Sequence, residues 1–242
     1  RDLHRRRHSF PTTTLFRSGS TGKVMTLAAA IEEKKITPET VLTVPYALKR
    51  STKVFHDHEP HPTQRLTASG ILAVSSNTGS IQIGEMLSND TLHNYLSKFG
   101  IGEKTGSGLP GESRGILPKV ADWSGTTAPT VAFGQGYSLT AMQATSVFAT
   151  IANDGVRVSP TVIAGTSDAS GNYTPSAARE SVRVISSETA QKMRLMMESV
   201  VSANGTAPSA AIPGYRVAGK TGTAQRVDPI TGKYSGYTAS FI

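Results

Sequence analysis

The chain has 242 residues, 37% apolar and 17% charged, a balance typical of a globular protein rather than a disordered one. It contains no cysteine and no run of about 18 apolar residues, which excludes disulfides, thiolate metal sites, a cysteine nucleophile and a membrane span within the sequence. Half of the net charge of +8 lies in residues 1–17, and no basic stripe with interleaved aromatic residues follows, so we expect no nucleic-acid binding.

The chain divides by composition at about residue 18. Residues 1–17 are basic and have no apolar periodicity, so they form an atypical N-terminal segment to which the sequence assigns no structure. Residues 18–242 have the pattern of one partial domain. The last residues before Ile242 read as an apolar strand without a stop signal, and an unpaired strand edge would be a liability. We therefore expect the sequence to be incomplete at both ends.

Helices and strands alternate irregularly after residue 18, with most strands late in the chain. Residues 101–118 are rich in glycine and proline and read as a loop, and the turn chemistry of residues 228–232 predicts a hairpin between the last two strands. This pattern predicts an α+β fold with a largely antiparallel sheet. Predicted helices cover 21–35, 67–75, 89–99, 139–153 and 187–202, and predicted strands lie within 41–56, 156–165, 181–185, 215–227 and 234–242. The helix at 89–99 should be capped by Asn89 or Asp90 and stopped by Gly100.

The first motif with catalytic potential is Ser-x-x-Lys at the start of the first helix. Ser20 and Lys23 are three residues apart and share one helix face. A serine hydroxyl needs a base to become a nucleophile, and a lysine whose pKa is lowered by burial or by nearby positive charge can be that base. Alone, the pair is weak evidence, because Ser-x-x-Lys recurs by chance and more often marks an N-cap serine and a surface lysine.

Two further motifs have the same double interpretation. Ser75 and Asn77 would point the same way on an extended segment, where the hydroxyl could relay a proton and the amide could hold a peptide group. On a late strand, the Lys-Thr-Gly-Thr run of residues 220–223 could bind a carboxylate, with the glycine allowing a substrate backbone to lie close. Separately, each is also an ordinary polar loop or a glycine-bearing strand.

The three motifs in this order are specific, because together they form the set found in penicillin-binding proteins and class A β-lactamases. The sequence closely resembles a class B penicillin-binding protein over about residues 18–242. The resemblance also includes Gly-Leu-Pro-Gly-Glu at 108–112 and Phe-Gly-Gln-Gly at 133–136, a tight turn typical of that family and absent from β-lactamases. The family usually has an acidic residue and a proline where this chain has Arg17 and Ser18.

The resemblance implies a β-lactamase/transpeptidase-like fold, an antiparallel sheet flanked by helices with an all-helical subregion. It implies that Ser20 is the acylated nucleophile, Lys23 its general base and Ser75 the proton relay to the leaving amine. Asn77 would hold the substrate amide and Lys220 would supply positive potential. Thr221 and Thr223 would contact the substrate carboxylate beside Gly222, and the backbone N–H groups of Ser20 and Thr223 would form an oxyanion hole.

The implied activity is peptidoglycan D,D-transpeptidation without a metal or organic cofactor. The donor would be a stem peptide ending in D-Ala-D-Ala and the acceptor an amine of a second stem. β-Lactams would be covalent inhibitors. The family's membrane anchor would lie outside this chain, with the catalytic domain on the extracytoplasmic side of the cell membrane beside division or elongation proteins.

Other interpretations remain open at this point. A β-lactamase-type hydrolase needs a group that activates water, and Glu112 is the tempting candidate between the second and third motifs. A non-catalytic β-lactam sensor would acylate and transfer nothing. The run of residues 56–61, with three histidines and two carboxylates, could be a partial zinc site, although Pro60 disturbs its geometry.

Overall fold

The computed structural model describes residues 14–177, 179–227 and 234–242. Seven α-helices are assigned in this part of the chain: α1 Lys23–Glu32, α2 Ala68–Ala73, α3 Asn77–Gly84, α4 Asn89–Lys98, α5 Thr127–Ala132, α6 Ala141–Ala152 and α7 Ser187–Val201. Twelve strands accompany them: β1 Leu15–Phe16, β2 Val41–Val44, β3 Ala47–Arg50, β4 Lys53–His56, β5 Gln64–Thr67, β6 Leu139–Thr140, β7 Val156–Val158, β8 Gly165–Ser167, β9 Tyr173–Pro175, β10 Ser181–Arg183, β11 Thr221–Val227 and β12 Tyr234–Phe241.

Helix α1 is the centre of the core. Every residue from Lys23 to Ile31 is buried, because α1 packs against α2, α3, α4 and α7 on different sides. Helix α7 contributes the predicted apolar face, on which Met193, Met196, Met197 and Val200 are all buried. A helix surrounded in this way is fixed by packing rather than by helix propensity, and its first turn is therefore a rigid platform.

The strand pairs among the described residues are all antiparallel, as the sequence predicted. They are β1–β6, β2–β5, β3–β4, β7–β10, β8–β9 and β11–β12. Strands β11 and β12 pair from Thr221 with Phe241 onwards, and β11 lies beside the turn that precedes α1. The hairpin turn predicted at residues 228–232 lies outside the described residues.

Some predicted boundaries are wrong for local reasons. Helix α4 is capped by Ser88, whose hydroxyl accepts from the backbone N–H of Thr91, rather than by Asn89 or Asp90. Helix α6 begins only at Ala141, because Leu139 and Thr140 pair with β1 and Thr140 caps the helix in a capping box. Strand β1 itself lies within residues 1–17, to which the sequence assigned no structure.

Two helices were not predicted, and one of them bears on the site. Helix α5 covers a Thr-, Ala- and Pro-containing segment with few helix signals. Helix α3 begins at Asn77, where the sequence suggested an extended polar segment. No helix in the described ranges is long and apolar enough to cross a membrane.

Candidate active site

The predicted nucleophile lies in a tight turn that leads directly into α1. Ser20 is the second residue of a 3-10 turn, Gly19–Gly22, and its side chain is partly exposed. The Thr21 hydroxyl donates to the Ser18 carbonyl at 2.8 Å and Gly19 has a φ of +54°, so the turn is locally fixed. One turn further on, Lys23 is fully buried, and its Nζ lies 2.9 Å from Ser20 Oγ. The helical spacing thus brings the two side chains into hydrogen-bond contact.

Lys23 Nζ sits among more oxygen atoms than a protonated amine has hydrogens. It lies 3.2 Å from Ser75 Oγ and 2.8 Å from Asn77 Oδ1, and it also contacts the Ser75 carbonyl oxygen. An ammonium has three donors, so it cannot donate to all four of these oxygen atoms at once. A neutral Lys23 can accept the Ser20 hydroxyl proton while donating to Asn77 and Ser75.

The surroundings of Lys23 favour this neutral form. Burial lowers the pKa of Lys23 well below its ordinary value, and the positive charge of Lys220 lowers it further. The negative charge of Asp57 acts in the opposite direction. A buried lysine with a lowered pKa is a suitable general base for a serine hydroxyl.

Ser75 and Asn77 reach the site through a turn rather than an extended segment, which corrects the prediction. Ser75 has a φ of +61°, which is unusual for a residue with a side chain, and Asn77 is the first residue of α3. The turn brings Ser75 Oγ and Asn77 Oδ1 into hydrogen-bond contact with Lys23 Nζ. Residues held in this backbone region cost about 1–3 kcal/mol and persist only where their surroundings fix them.

Lys220 closes the cluster from the end of the last hairpin. It is fully buried, and its Nζ lies 2.9 Å from Ser75 Oγ and 3.2 Å from Thr221 Oγ1. Burial lowers the pKa of Lys220 to about 7. Ser75 Oγ therefore bridges two lysines, which is the position required of a hydroxyl that passes protons.

Strand β11 has an open backbone edge beside the turn that carries Ser20. Lys220 and Ile242 exchange both backbone hydrogen bonds, at 2.8 and 3.3 Å. In an antiparallel ladder the bonded positions alternate, so the N–H groups of Thr221 and Thr223 point away from β12. A side chain at Gly19 would lie 2.7 Å from the Thr223 carbonyl oxygen, so this open edge faces the turn that carries Ser20.

The glycine of the Lys-Thr-Gly-Thr run has a structural role that the sequence did not indicate. A Cβ at Gly222 would lie 2.9 Å from Thr21 Cγ2 and 3.0 Å from the Ser18 carbonyl oxygen. The glycine thus lets the turn that carries Ser20 approach β11. Gly222 is buried and Thr223 is exposed, so the strand offers its threonine side chain and backbone to solvent.

The Phe-Gly-Gln-Gly turn is hydrogen-bonded to the turn that carries Ser20. The Gly19 backbone N–H donates to the Gly134 carbonyl at 3.0 Å, and the Ser18 hydroxyl donates to the same oxygen at 2.9 Å. Ser18 takes the position at which the family that the sequence resembles usually has proline, and its hydroxyl makes a hydrogen bond for which a proline side chain has no donor. The prediction of a structural turn at 133–136 is consistent with these contacts.

The other two candidate sites from the sequence have different roles. In the described part of the chain, no group of three or more His, Cys, Asp or Glu side chains is arranged to hold a metal, and Asp57 is instead bonded to the start of α3. The Glu112 carboxylate is hydrogen-bonded within its own loop, where it accepts from Thr105, Gly106 and Ser107. These bonds lower the pKa of Glu112 despite its partial desolvation, which does not favour a water-activating role.

Two residues of the site were missed from the sequence. The Thr206 hydroxyl lies 2.7 Å from the Thr221 hydroxyl and so orients a predicted carboxylate-binding group. Asp57 was treated only as part of a histidine-rich run. Its position directly after a short strand was the available signal, since polar residues at strand ends often face a site.

Comparison with known proteins agrees with this arrangement of residues. The family model for the penicillin-binding protein transpeptidase domain matches residues 7–242. Penicillin-binding protein PbpB of Mycobacterium tuberculosis is 39% identical over 225 residues, covering 90% of this chain and 33% of that protein. Peptidoglycan D,D-transpeptidase FtsI of Escherichia coli K12 is 33% identical, covering 94% of this chain and 37% of that protein.

The fold agrees with solved structures. The crystal structure of penicillin-binding protein 3 from Mycobacterium tuberculosis in complex with aztreonam matches with a TM-score of 0.92 and 38% identity, over 96% of this chain and 53% of that one. The chain spans about a third of the length of the curated relatives it matches. The matched family model and these relatives confirm the resemblance seen in the sequence: the chain belongs to the penicillin-binding protein transpeptidase family.

Proposed function

We propose that this chain carries the catalytic centre of a serine-type peptidoglycan D,D-transpeptidase, which crosslinks stem peptides through an acyl-enzyme on Ser20. The observation that carries this proposal is the 2.9 Å contact between Ser20 Oγ and the Nζ of a fully buried Lys23. Relatives named peptidoglycan D,D-transpeptidase support the reaction class.

In the first half-reaction, Ser20 Oγ attacks the carbonyl carbon of the peptide bond between the two terminal D-alanines, and its proton passes to Lys23. The new tetrahedral centre carries an oxyanion, which the N–H groups of Ser20 and Thr223 would stabilise. The carbon–nitrogen bond then breaks. The leaving nitrogen takes a proton through Ser75 Oγ, which lies 3.2 Å from Lys23 Nζ and 2.9 Å from Lys220 Nζ.

The second half-reaction is the reverse with a different amine. An amino group of another stem peptide attacks the ester carbon of the acyl-enzyme and loses its proton through the same Ser75 and Lys23 path. The ester bond breaks and Ser20 Oγ regains a proton. The net result is one new amide and one released D-alanine, so no cofactor, oxidant or external base is needed.

Substrate binding follows from the charges and donors around the nucleophile. Lys220 supplies positive potential, and Thr221 and Thr223 offer hydroxyls to the terminal carboxylate of the donor stem beside Gly222. The Asn77 amide, already within 2.8 Å of Lys23 Nζ, is close enough to the nucleophile to hold the substrate amide as well.

A β-lactam would occupy the same position as the donor. Structures of the Mycobacterium tuberculosis relative with aztreonam and ampicillin support this part of the proposal. The β-lactam ring opens on attack by Ser20, and its nitrogen stays tethered to the acyl group rather than leaving. The acyl-enzyme then persists, because the tethered fragment hinders the incoming amine.

The wider context is also a proposal. We treat residues 18–242 as part of the transpeptidase domain and residues 1–17 as a distinct segment, although the family match starts at residue 7. The parent protein would be attached to the cell membrane, with this domain on the extracytoplasmic side where stem peptides lie. Its partners would be proteins of division or elongation.

A transfer assay tests the proposed reaction. The chain is incubated with a synthetic stem peptide ending in D-Ala-D-Ala and an excess of an amine acceptor, and products are separated by mass. We expect free D-alanine together with the acceptor-linked peptide, and we expect Ser20→Ala to form neither. Release of D-alanine with only hydrolysed peptide at saturating acceptor would favour a hydrolase, and equal product from Ser20→Ala would overturn the assignment of the nucleophile.

A further inference from the structure

The carboxylate of Asp57 holds the backbone that presents Ser75 and Asn77. Asp57 lies just after β4 and is only 6% exposed. It accepts from the backbone N–H of Asn77 at 2.5 Å, from the backbone N–H of Thr78 at 2.9 Å and from the Ser76 hydroxyl at 2.7 Å. A single buried carboxylate is therefore bonded to three consecutive residues.

These bonds satisfy donors that α3 cannot satisfy itself. The first N–H groups of a helix have no intrahelical acceptor, and the helix start favours negative charge. Asp57 takes the N–H groups of Asn77 and Thr78, while Ser76 Oγ accepts from the Gly79 N–H at 2.9 Å. A charge-assisted network of this kind fixes the angle at which the chain enters α3.

The same short segment also orients the Asn77 side chain. Asn77 Nδ2 donates to the carbonyl of His56 at 2.9 Å, which turns Oδ1 towards Lys23 Nζ at 2.8 Å. Ser75 precedes these fixed residues and keeps its φ of +61°. The end of β4 thus holds Asn77 by both its backbone and its side chain.

We propose that Asp57 is a positioning residue that holds Ser75 and Asn77 in contact with Lys23, with His61 as the group that fixes its carboxylate. This inference rests on the proposed acylation of Ser20. His61 Nε2 lies 3.0 Å from Asp57 Oδ2, and its Nδ1 lies 2.8 Å from the Pro62 carbonyl oxygen. Both neighbours are acceptors, and they raise the pKa of His61, the Pro62 carbonyl first and Asp57 next.

Asp57 also acts on Lys23 through its charge. The charged and titratable groups around this pair are His56 and His61 beside Asp57, and Lys220 beside Lys23. The pKa of Lys23 is lowered by burial and by Lys220, and Asp57 partly offsets this. Removing the Asp57 charge should lower the pKa of Lys23 further. The acid limb of the pH–rate profile for acylation, where the rate falls as Lys23 becomes protonated, should then move to lower pH. A purely structural residue would change the rate without moving that limb.

The test is Asp57→Asn, which keeps the shape and removes the charge, with Glu59→Gln as the matched control. Glu59 is two residues away and its side chain is 83% exposed. For Asp57→Asn we expect the second-order rate of acylation by benzylpenicillin to fall about 100-fold, with the acid limb displaced to lower pH. Amide hydrogen exchange should accelerate at Asn77 and Thr78 and stay unchanged in α1, and Glu59→Gln should match the wild type in all three readouts.

The outcomes separate this inference from the proposed function. Unchanged acylation and unchanged exchange in Asp57→Asn would overturn the positioning role. Faster exchange at Asn77 and Thr78 in a chain whose wild type is not acylated would keep the positioning role and remove the proposed function. If Asp57→Asn does not fold, His61→Gln decides the matter, because it leaves the carboxylate in place. For His61→Gln we expect the acylation rate to fall about tenfold, with faster amide exchange at Asn77 and Thr78 and unchanged exchange in α1. Wild-type acylation and exchange in His61→Gln would count against the proposal.

Discussion

Replacing Lys23 with methionine is expected to reduce acylation of Ser20 by benzylpenicillin about 1000-fold or more, because general bases contribute about 10²–10⁴-fold and this lysine is in contact with the nucleophile. Methionine is as long as the four-atom apolar stem of lysine and lacks the amine. Lys23 is fully buried, and the substitution leaves the Ser75 carbonyl and Asn77 Oδ1 without the donor they have in the wild type, so folding is measured alongside the rate. The measurement is the second-order rate of adduct formation by intact mass.

The control for Lys23→Met is Lys104→Met, which removes an exposed lysine from the loop before the Gly-Leu-Pro-Gly-Glu turn. It should acylate at the wild-type rate. Thermal unfolding of both variants shows whether a loss of rate follows from a loss of structure. A well-folded Lys23→Met variant that acylates within tenfold of the wild type would mean that another group takes the Ser20 proton, and Lys220 would be the next candidate through Ser75.

Replacing Gly134 with alanine is expected to destabilise the chain by about 3 kcal/mol or more and to abolish acylation. Gly134 has a φ of +87°, and an added Cβ would overlap the carbonyl oxygen of Gly19 and lie 2.7 Å from Ser18 Oγ. The turn that carries Ser20 would have to move, since the obstacle on one side is backbone. The measurement is the free energy of unfolding in urea together with the acylation rate.

The matched control for Gly134→Ala is Gly171→Ala. Gly171 has a nearly identical φ of +86°, but an added Cβ there would have no atom within 4 Å. Both variants therefore bear the same backbone strain, about 1–2 kcal/mol, and only Gly134→Ala has the overlap with the nucleophile turn. Equal destabilisation of the two variants, with acylation intact, would show that the Phe-Gly-Gln-Gly turn does not support the nucleophile.

The parts of the site that obey a local rule could be predicted from the sequence. Ser20 and Lys23 are joined by helical spacing, and their contact follows once α1 is recognised. The order of the three motifs identified the family, and with it the meeting of Ser75 and Lys220, which are far apart in the chain. The apolar face of α7 followed from its periodicity.

The remaining parts depend on tertiary contacts that leave little local signal. Ser75 adopts a left-handed conformation that its own sequence does not favour, because Asp57 and α3 determine the backbone around it. Asp57 itself lay in a histidine-rich run that suggested metal binding, and only the fold shows that its carboxylate is occupied by α3. The close approach at Gly222 likewise could not be predicted without knowing that the turn that carries Ser20 packs on β11.

The most direct test of the central claim, that Ser20 is the acylated nucleophile, is an intact-mass time course of the chain with benzylpenicillin, followed by peptide mapping of the adduct. We predict a lasting mass increase equal to one benzylpenicillin, located on the peptide that contains Ser20. A stable adduct on any other residue, or a folded chain that forms none, would contradict the account.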